Sequence, residues 1–491
     1  MNVSKIENIQ EEGKLQTFTK EVEEFISPSH VSTDPYEIEA TSGDLSLLSK
    51  YHYKFKEEYQ ATHVIRPANT EELSKLMKKC REYSIPVTVR AAGSSCFSAS
   101  TPTKGGVIID TRRMNEIHEI DAKNMIVKCD AGTSWLKLIE TLLDYGLAPK
   151  CYPTSYKSAC VGGYVVTSGK AGIGVVKHGA MKDSLLSVTL VKPDGSIEKI
   201  SRESQGDLTL DDIVGSLGIY GAIAEVEMSI TTLKTSMEII GYGFKSIRNA
   251  TEYYLTLKSD EENKPFFLSL SDKNFEKFAH WTFPARNFFV YVVYFDDPSV
   301  TSKNISFATE AASKMDGLSV EDWYLKEKWH DISDTELNIS RWCQNLIFQE
   351  YWVADNRLEA FYDFYADKSN KYNYRKAFYV ISGAQGGNRI KLFGLTTIDK
   401  PREFFGIKAI FHDITLNTYN QKDSLYTIGV VNTFYFLKFH PEEVAYAQKL
   451  KNKLDPEDLV NSYRLVKAKM RSWRVGLLFT MAKLFYRPKS I

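Results

Sequence analysis

The segment 89–95 carries the first group of residues whose types and spacing could bind a ligand. It begins with the last two residues of a strand-like stretch, 85–90, and consists of Val89, Arg90, Ala91, Ala92, Gly93, Ser94 and Ser95. Small residues after a strand allow backbone N–H groups to converge on an anion, and two serine hydroxyls can add donors for a pyrophosphate. An ordinary tight loop would show the same composition, so this segment needs support from the rest of the chain.

Two further segments share this character. Residues 153–174 mix glycine, serine and threonine with valines that need burial, so their backbone can approach a large flat ligand closely. The candidate contacts in and just after this segment are Thr154, Ser155, Ala159, Cys160, Gly162, Gly163, Thr167, Ser168, Gly169, Lys170 and His178. The third segment adds Gly218, Gly221 and Ile223 in a Gly-x-x-Gly-x-x-Gly pattern. This differs from the G-x-G-x-x-G of a dinucleotide-binding turn, so a classical NAD domain is disfavoured.

Composition excludes several classes of function. Lys plus Arg and Asp plus Glu each number 62, so no overall charge attracts nucleic acid. The 6 cysteines form no Cys-x-x-Cys pair and no histidine cluster accompanies them, so we expect no metal site. Such scattered cysteines are typical of reduced core residues and favour a cytoplasmic location. The first residues lack an apolar signal-peptide core and no run of about 18 apolar residues exists, so we expect neither secretion nor a membrane span.

Strand and helix patterns must bring these segments together. Strands at 62–67, 85–90 and 106–110, with an amphipathic helix after the first, predict a βαβ-like unit, and a second unit ends near 231. After about 235 the chain changes to aromatic-rich strand candidates with helices between them. These candidates are 266–270, 287–295, 346–353, 376–381, 389–397 and 426–431. The pattern predicts an α+β protein whose second half holds a mostly antiparallel sheet.

The order and spacing of the motifs resemble the flavoprotein oxidoreductases of the vanillyl-alcohol oxidase and p-cresol methylhydroxylase (PCMH) type. The matching stretches are P-V-T-V-R-A-A-G-S-S (86–95), G-G-V-I-I-D (105–110), R-M-N-E-I (113–117), A-G-T-S-W (131–135), P-T-S (153–155), V-G-G (161–163), K-H-G (177–179) and, near the other end, K-L-D-P-E-D-L-V-N (453–461). The pattern is nearest to the glycolate oxidase and D-lactate dehydrogenase branch and to the alkyl-dihydroxyacetonephosphate synthase branch. The resemblance covers 60–231 well, 441–465 moderately and the middle poorly.

This resemblance implies a fold and a division of the chain. We expect a PCMH-type FAD-binding domain of two subdomains, together with a substrate (cap) domain that has a mostly antiparallel sheet and helices. The predicted divisions are an N-terminal arm at 1–59, the FAD-binding domain at 60–235, the cap domain at 236–440, and a segment at 441–491 that returns to the FAD-binding domain and carries a basic, apolar tail helix at 470–487.

The resemblance also implies that FAD binds across the three small-residue segments, with its pyrophosphate on 91–95. Some relatives attach the flavin through a His after the glycine of the first loop, where this chain has Ser94, or through a Cys-x-Gly, which it lacks. We therefore expect FAD to be held without a covalent bond. The chain also lacks the H-x-G-D-x-N-x-H stretch of the glycolate and D-lactate enzymes, which disfavours a metal-assisted 2-hydroxy acid mechanism.

The chemistry implied by the resemblance is hydride transfer from an alcohol or 2-hydroxy acid carbon to flavin N5, while a base takes the hydroxyl proton. His412 is the preferred base because a histidine titrates near neutrality and Asp413 adjoins it. Arg375 is a candidate carboxylate clamp and Tyr379 a third catalytic candidate. Further candidates on the cap sheet are Tyr351, Arg389, Lys391 and Asn417.

Two other functions remain open on the same fold. One is a flavin-dependent C=C reductase or a redox-neutral lipid-synthesising enzyme, which the apolar and aromatic middle of the chain would suit. The other is a non-catalytic scaffold. The partner is a small molecule or a lipid, nucleic acid is not expected, and the electron acceptor and a homodimer are left open.

The tail has a distinctive charge pattern. Between residues 464 and 489 lie eight basic residues and no acidic one, and on a helix the segment 475–486 would be apolar around most of its circumference. Such a helix is too short to span a bilayer and too apolar to stay fully in water. It belongs either in a groove on this protein or a partner subunit, or in the headgroup region of an anionic membrane, on its inner face.

Overall fold

The computed structural model describes residues 3–46, 59–167, 169–278, 286–335, 345–372, 374–384, 386–396, 401–468 and 472–485. The first subdomain is a small mixed sheet with strand order β1-β2-β4-β3, in which β4 is parallel to both β2 and β3. Its elements are α1 Val3–Glu23, β1 Val31–Ser32, α2 Pro35–Ser42, β2 His63–Ile65, α3 Thr70–Glu82, β3 Val87–Arg90 and β4 Val107–Asp110. Asn69 caps α3 by accepting the Glu72 N–H at 2.9 Å.

Part of the segment predicted as an N-terminal arm, 1–59, packs into the core of the first subdomain. Phe18, Val22 and Ile26 are fully buried in the cluster that contains the apolar face of α3, and β1 pairs antiparallel with β2. Phe18 and Val22 lie one turn apart near the end of α1, and Ile26 follows in the turn after it, so the buried stripe is too short to give a clear helical periodicity in the sequence.

The second subdomain is an antiparallel sheet with strand order β5-β6-β10-β8-β9, and β7 pairs with the far part of β10. Its elements are β5 Ile117–Asp121, β6 Ile126–Asp130, α4 Trp135–Leu143, β7 Leu147–Pro149, α5 Val161–Val166, α6 Val175–His178, α7 Met181–Ser184, β8 Leu185–Val191, β9 Ile197–Ser201, α8 Leu210–Ile213 and β10 Ala222–Thr232. The small-residue segment 153–174 therefore surrounds the short helix α5, whose Val161 and Val165 are fully buried.

The third sheet begins four residues later and has eight antiparallel strands in the order β14-β11-β13-β12-β16-β17-β15-β18. Its elements are β11 Ser236–Phe244, α9 Ile247–Ser259, β12 Phe267–Asp272, α10 Lys273–Phe278, β13 Phe288–Asp296, α11 Pro298–Lys314, β14 Leu318–Ser319, α12 Asp322–His330, β15 Asn345–Ala354, α13 Leu358–Asn370, β16 Arg375–Ser382, β17 Gly387–Thr396, α14 Pro401–Asn420, β18 Ser424–Leu425 and α15 Gly429–Phe439. The predicted α+β class, with a mostly antiparallel sheet in the second half of the chain, is confirmed.

Both faces of this cap sheet are buried. Alternate residues along its strands pack either against α9, α11, α13 and α14 or against α10, α12 and the first half of the chain, from which Phe97, Ala171 and Ile173 join the core. A sheet covered on both faces has strands that are apolar almost throughout, which explains the run Phe-Phe-Val-Tyr-Val-Val-Tyr in β13.

The strand predicted at 426–431 is wrong. Only Ser424 and Leu425 pair with β15, after which the chain turns and α15 begins at Gly429. The Asn432 side chain donates to the Thr427 carbonyl at 2.9 Å, so the turn rather than a neighbouring strand satisfies that group. A short apolar run cannot by itself distinguish a strand from a helix.

The last described elements are α16 Pro441–Leu454 and α17 Ser472–Phe485, and the chain between them runs back across the first two subdomains. There the Val87 N–H donates to the Leu459 carbonyl at 2.9 Å, and the Asn461 N–H donates to the Val87 carbonyl at 2.8 Å. The returning segment thereby extends the first sheet beside β3.

A buried lysine holds this returning segment. Lys451 is 1% exposed and donates to Asp455 Oδ2 at 2.6 Å, to the Ile219 carbonyl at 2.9 Å and to the Val460 carbonyl at 2.5 Å. Asp455 in turn accepts the N–H groups of Leu459 and Val460. The ammonium group thus links α16, the returning segment and the loop before β10.

Replacing Lys451 with Met should lower the free energy of unfolding by about 3 kcal/mol, because it leaves a buried carboxylate and two carbonyls without their cation. Lys453→Met is the matched control. Lys453 lies on the same helix as Lys451 and pairs with Asp207, but its side chain is 61% exposed. Urea unfolding of the three proteins checks this, and equal stability of both variants would contradict the role of Lys451.

Candidate active site

A long cleft lies between the first two subdomains and the cap sheet. It holds about 1550 Å3 of empty space, part of which is open to solvent. The cleft is lined by all three small-residue segments, by Asn461 of the returning segment, and by the cap residues Ser333, Phe348, Glu350, Arg389, Tyr426 and Thr427. Phe97 and Phe348 close one part of it, with their rings edge to face at 5.2 Å.

Most of the residues predicted to contact the cofactor line this cleft. They are Val89, Arg90, Ala91, Ala92, Gly93, Ser94, Ser95, Thr154, Ser155, Ala159, Cys160, Gly162, Gly163, Thr167, Gly218, Gly221 and Ile223. Ser168 lies outside the described residues. Three others do not line the cleft: Gly169, Lys170 and His178.

These three residues pack behind the cleft wall instead. A Cβ on Gly169 would lie 2.6 Å from the Met181 Cβ, and the Lys170 ammonium lies 6.0 Å from the centre of the Trp352 ring. The His178 ring packs edge to face against Phe266, and burial, together with Lys177, lowers its pKa to about 4. His178 is therefore neutral near pH 7, which favours the predicted structural role over acid–base work.

The 89–95 loop has the features of an anion cradle. Gly93 has φ +68°, and a Cβ there would lie 2.0 Å from the Arg90 guanidinium. The Arg90 Nη1 donates to the Gly43 carbonyl at 2.5 Å, whereas its buried Nε has no partner among the described residues. A buried guanidinium N–H without a partner is costly, so this site fits an anionic ligand group.

The opposite wall is built from backbone. The Gly162 N–H donates to the Ala131 carbonyl at 2.8 Å, which packs α5 directly against the end of β6. A Cβ on Gly163 would meet no atom within 4 Å, so this residue borders open space. Small residues here leave room for a flat ring system.

The cap side of the cleft presents a buried ion pair. Glu350, 1% exposed, accepts from Arg389 Nε at 3.0 Å and also from Nη2, while Thr427 Oγ1 donates to the other carboxylate oxygen at 2.6 Å. The Arg389 guanidinium lies 4.6 Å from the centre of the Tyr426 ring. Burial acts to lower the pKa of Arg389, but the Glu350 carboxylate outweighs it and raises that pKa, so Arg389 stays protonated.

Two more polar groups lie beside the ion pair. Lys391 is two residues along β17 from Arg389, and complete burial lowers its pKa to about 8. Cys96 lines the cleft next to Phe97, and burial raises the pKa of its thiol. Cys96 is therefore a neutral wall residue rather than a nucleophile.

The three predicted catalytic residues do not line the cleft, which corrects their placement. Arg375 is exposed at the first position of β16, and Tyr379 is 5% exposed and stacks on Phe275 with ring centres 4.2 Å apart. His412 belongs to α14, on the far side of the cap sheet, where its Nδ1 lies 2.6 Å from the Tyr435 hydroxyl. The sheet thus separates His412 from the cleft.

Of the polar residues that the cap supplies, the sequence prediction included Arg389 among its candidates but missed Glu350. Glu350 lies in an otherwise apolar strand, and such a charge is buried only when it is paired. That signal, read together with Arg389 in the neighbouring strand, could have identified the pair. Nothing in the local sequence indicated Tyr426 or Thr427, because they reach the cleft through a turn, and Asn461 was part of the matching stretch 453–461 without being predicted as a cleft residue.

Replacing Gly93 with Leu should remove bound FAD from the purified protein, because the side chain would displace the Arg90 guanidinium and fill the cradle. Gly386→Leu is the matched control: Gly386 has φ +69° but lies in the turn between β16 and β17, away from the cleft. Absorbance of the flavin per mole of protein checks this. Stoichiometric FAD in Gly93→Leu would rule out the cradle.

Comparison with known proteins supports this reading of the cleft. Residues 61–201 match the FAD binding domain family. A D-lactate dehydrogenase of Archaeoglobus fulgidus is 30% identical over 191 residues, 38% of this chain and 42% of its own length. The glycolate oxidase subunit GlcD of Bacillus subtilis is 29% identical over 181 residues, 36% of this chain and 38% of its own. The matches thus span less than half of these relatives.

Solved structures share the fold over nearly the whole chain. A p-cresol methylhydroxylase with bound substrate has a TM-score of 0.77 at 12% identity, covering 93% of this chain and 97% of its own. An alkyldihydroxyacetonephosphate synthase has a TM-score of 0.72 at 17% identity, and the match covers 91% of this chain and 84% of the synthase chain. Residues 61–201 thus match an FAD binding domain and the chain shares the fold of these solved structures, which bears out the resemblance to FAD-linked oxidoreductases of the PCMH type.

Proposed function

We propose that this protein is an FAD-dependent oxidoreductase that oxidises the hydroxyl-bearing carbon of a small organic substrate at the cap end of the cleft. The observation that carries the proposal is the continuity of one cleft from the anion cradle at 89–95 to the Glu350–Arg389 pair on the cap sheet. A cofactor held by the loops and a substrate held by the cap would therefore meet inside it.

The residues divide the work along the cleft. The 89–95 loop and the backbone around Gly163 would hold FAD, which when bound supplies the acceptor for a hydride and its two electrons. Glu350 is the group placed to accept the proton of the substrate hydroxyl, and Arg389 and Thr427 keep its carboxylate fixed. The Phe97, Phe348 and Tyr426 rings exclude water from this end.

The ion pair also bears on the substrate class. The cations among the described residues that line the cleft are Arg90 at the cradle and Arg389, and Glu350 already neutralises Arg389. Lys391, beside the pair, does not line the cleft, so a substrate carboxylate would meet no unneutralised cation on the cap wall of the cleft. We accordingly favour an uncharged alcohol over a 2-hydroxy acid, although the D-lactate and glycolate relatives resemble this chain in the FAD-binding domain.

Anaerobic bleaching of the bound flavin tests this function. The purified protein would be mixed with neutral aliphatic, prenyl and aromatic alcohols, with 2-hydroxy acids, and with NAD(P)H. Bleaching by a neutral alcohol supports the proposal, and bleaching only by NAD(P)H favours the C=C reductase that the aromatic cap would also suit. A protein that never binds FAD favours the scaffold.

The FAD is proposed to be held without a covalent bond. In the first loop the residues that line the cleft include Ser94 and Ser95, and no histidine stands there. Cys160, beside α5, also lines the cleft, but burial raises the pKa of its thiol to about 11, so it is a poor nucleophile. Acid precipitation should release all of the flavin into the supernatant. A yellow pellet would show an attached flavin and contradict this prediction.

Replacing Glu350 with Gln should slow flavin reduction by the alcohol at least tenfold, about 1.4 kcal/mol of transition-state stabilisation, because the proton acceptor is lost. His412→Ala is the control on the far side of the sheet and should keep the wild-type rate. Anaerobic single-turnover kinetics check both.

The Glu350 variant also leaves Arg389 without its counter-charge, so FAD content and thermal melting are measured alongside. If Glu350→Gln does not fold, Thr427→Val, which removes only the 2.6 Å bond to the carboxylate, should still slow reduction. A wild-type rate in a folded Glu350→Gln protein, or a slowed His412→Ala, would contradict the assignment.

A further inference from the structure

The tail helix α17 turns an apolar face outward. Its exposed residues include Arg474, Leu477, Leu478 and Met481, which follow one another at helical spacing. The side chains of Leu477, Leu478 and Met481 are 54%, 44% and 48% exposed. A surface helix normally turns its polar face to water, so this arrangement is the reverse of the usual one.

The other side of α17 is packed on the protein. The helix lies along α14 and reaches α15, and the ring of Phe479 packs against His412 at 5.1 Å. A groove of this chain therefore holds one face of α17, as predicted for the tail. The opposite face, formed by Leu477, Leu478 and Met481 and here called the outer face, is left uncovered.

The sequence that contains α17 carries charge of one sign. From 464 to 491 it has eight basic residues and no acidic residue; of those that the structure describes, Arg464 is buried and donates to backbone carbonyls, whereas Arg474 is exposed on α17. The chain as a whole has a formal net charge of zero, so this segment is a local concentration of positive charge.

We propose that the outer face of α17 docks on the surface of an anionic lipid bilayer. Apolar side chains that enter the headgroup boundary and basic residues that meet anionic lipids both stabilise such binding. Three exposed side chains cannot supply the roughly 800 Å2 per partner of a stable protein interface, which disfavours a second copy of the chain. Among the described residues no helix has the length and hydropathy of a membrane span, so contact is confined to the surface.

Co-sedimentation of the full chain with vesicles tests this docking. The protein should bind vesicles that contain phosphatidylglycerol, bind phosphatidylcholine vesicles much more weakly, and lose binding as salt is raised. The triple variant Leu477→Ser, Leu478→Ser, Met481→Ser should reduce the partition coefficient at least tenfold, about 1.4 kcal/mol. These residues face water, so the variant keeps the packed face of α17.

The matched control replaces three apolar residues of similar exposure elsewhere, Leu143, Ile197 and Met237, with Ser; these are 45%, 48% and 43% exposed. The control should bind like the unaltered protein, and thermal melting should show that both variants fold. Equal partitioning of the triple variant and the control would overturn the proposal. A concentration-dependent dimer that the triple variant loses, without vesicle binding, would assign the outer face to a second copy instead.

Discussion

The side-chain amide of Asn461 connects the two walls of the cleft, and the arrangement of the FAD-binding domain depends on it. Its Nδ2 donates to the Leu217 and Gly218 carbonyls at 3.0 Å each, and its Oδ1 accepts the Val89 N–H at 3.0 Å. One buried residue thus fixes β3 relative to the loop before β10, although it lies more than 240 residues further along the chain than that loop. Because these groups are backbone donors and acceptors, leaving any of them unpaired would be costly.

The cap sheet supplies the second half of the arrangement. One face of the sheet is covered by helices of the cap. On the other face, many of the side chains that pack toward the FAD-binding domain are aromatic. In this apolar contact Glu350 and Arg389 are buried as a pair, with Thr427 satisfying the remaining carboxylate oxygen. Burying an ion pair is a poor way to gain stability, since each charge loses its hydration. Its position on the cleft therefore indicates a functional role, in keeping with the proton transfer that we propose.

The residues of the small-residue loops that line the cleft could be predicted from the sequence, whereas most of those that the cap contributes could not. Motifs such as 86–95 and 161–163 are local, because each loop is determined by residues that adjoin in the chain, and these loops do line one cleft. The cap's contribution is non-local: Glu350 and Arg389 meet only after two strands pair, and Tyr426 and Thr427 reach the cleft because 426–428 is a turn rather than a strand. His412 was predicted from its titration range and from the adjoining Asp413, and neither property indicates the side of the sheet on which α14 packs.

The central claim is that one cleft, lined by the three small-residue loops and by the Glu350–Arg389 pair, holds FAD together with the substrate. A crystal structure of the protein with FAD tests it most directly. We predict electron density for one FAD, with its pyrophosphate beside residues 91–95 and its flavin ring at the end of the cleft that Glu350 and Arg389 line. FAD bound elsewhere, or a flavin ring turned away from the cap sheet, would contradict the account.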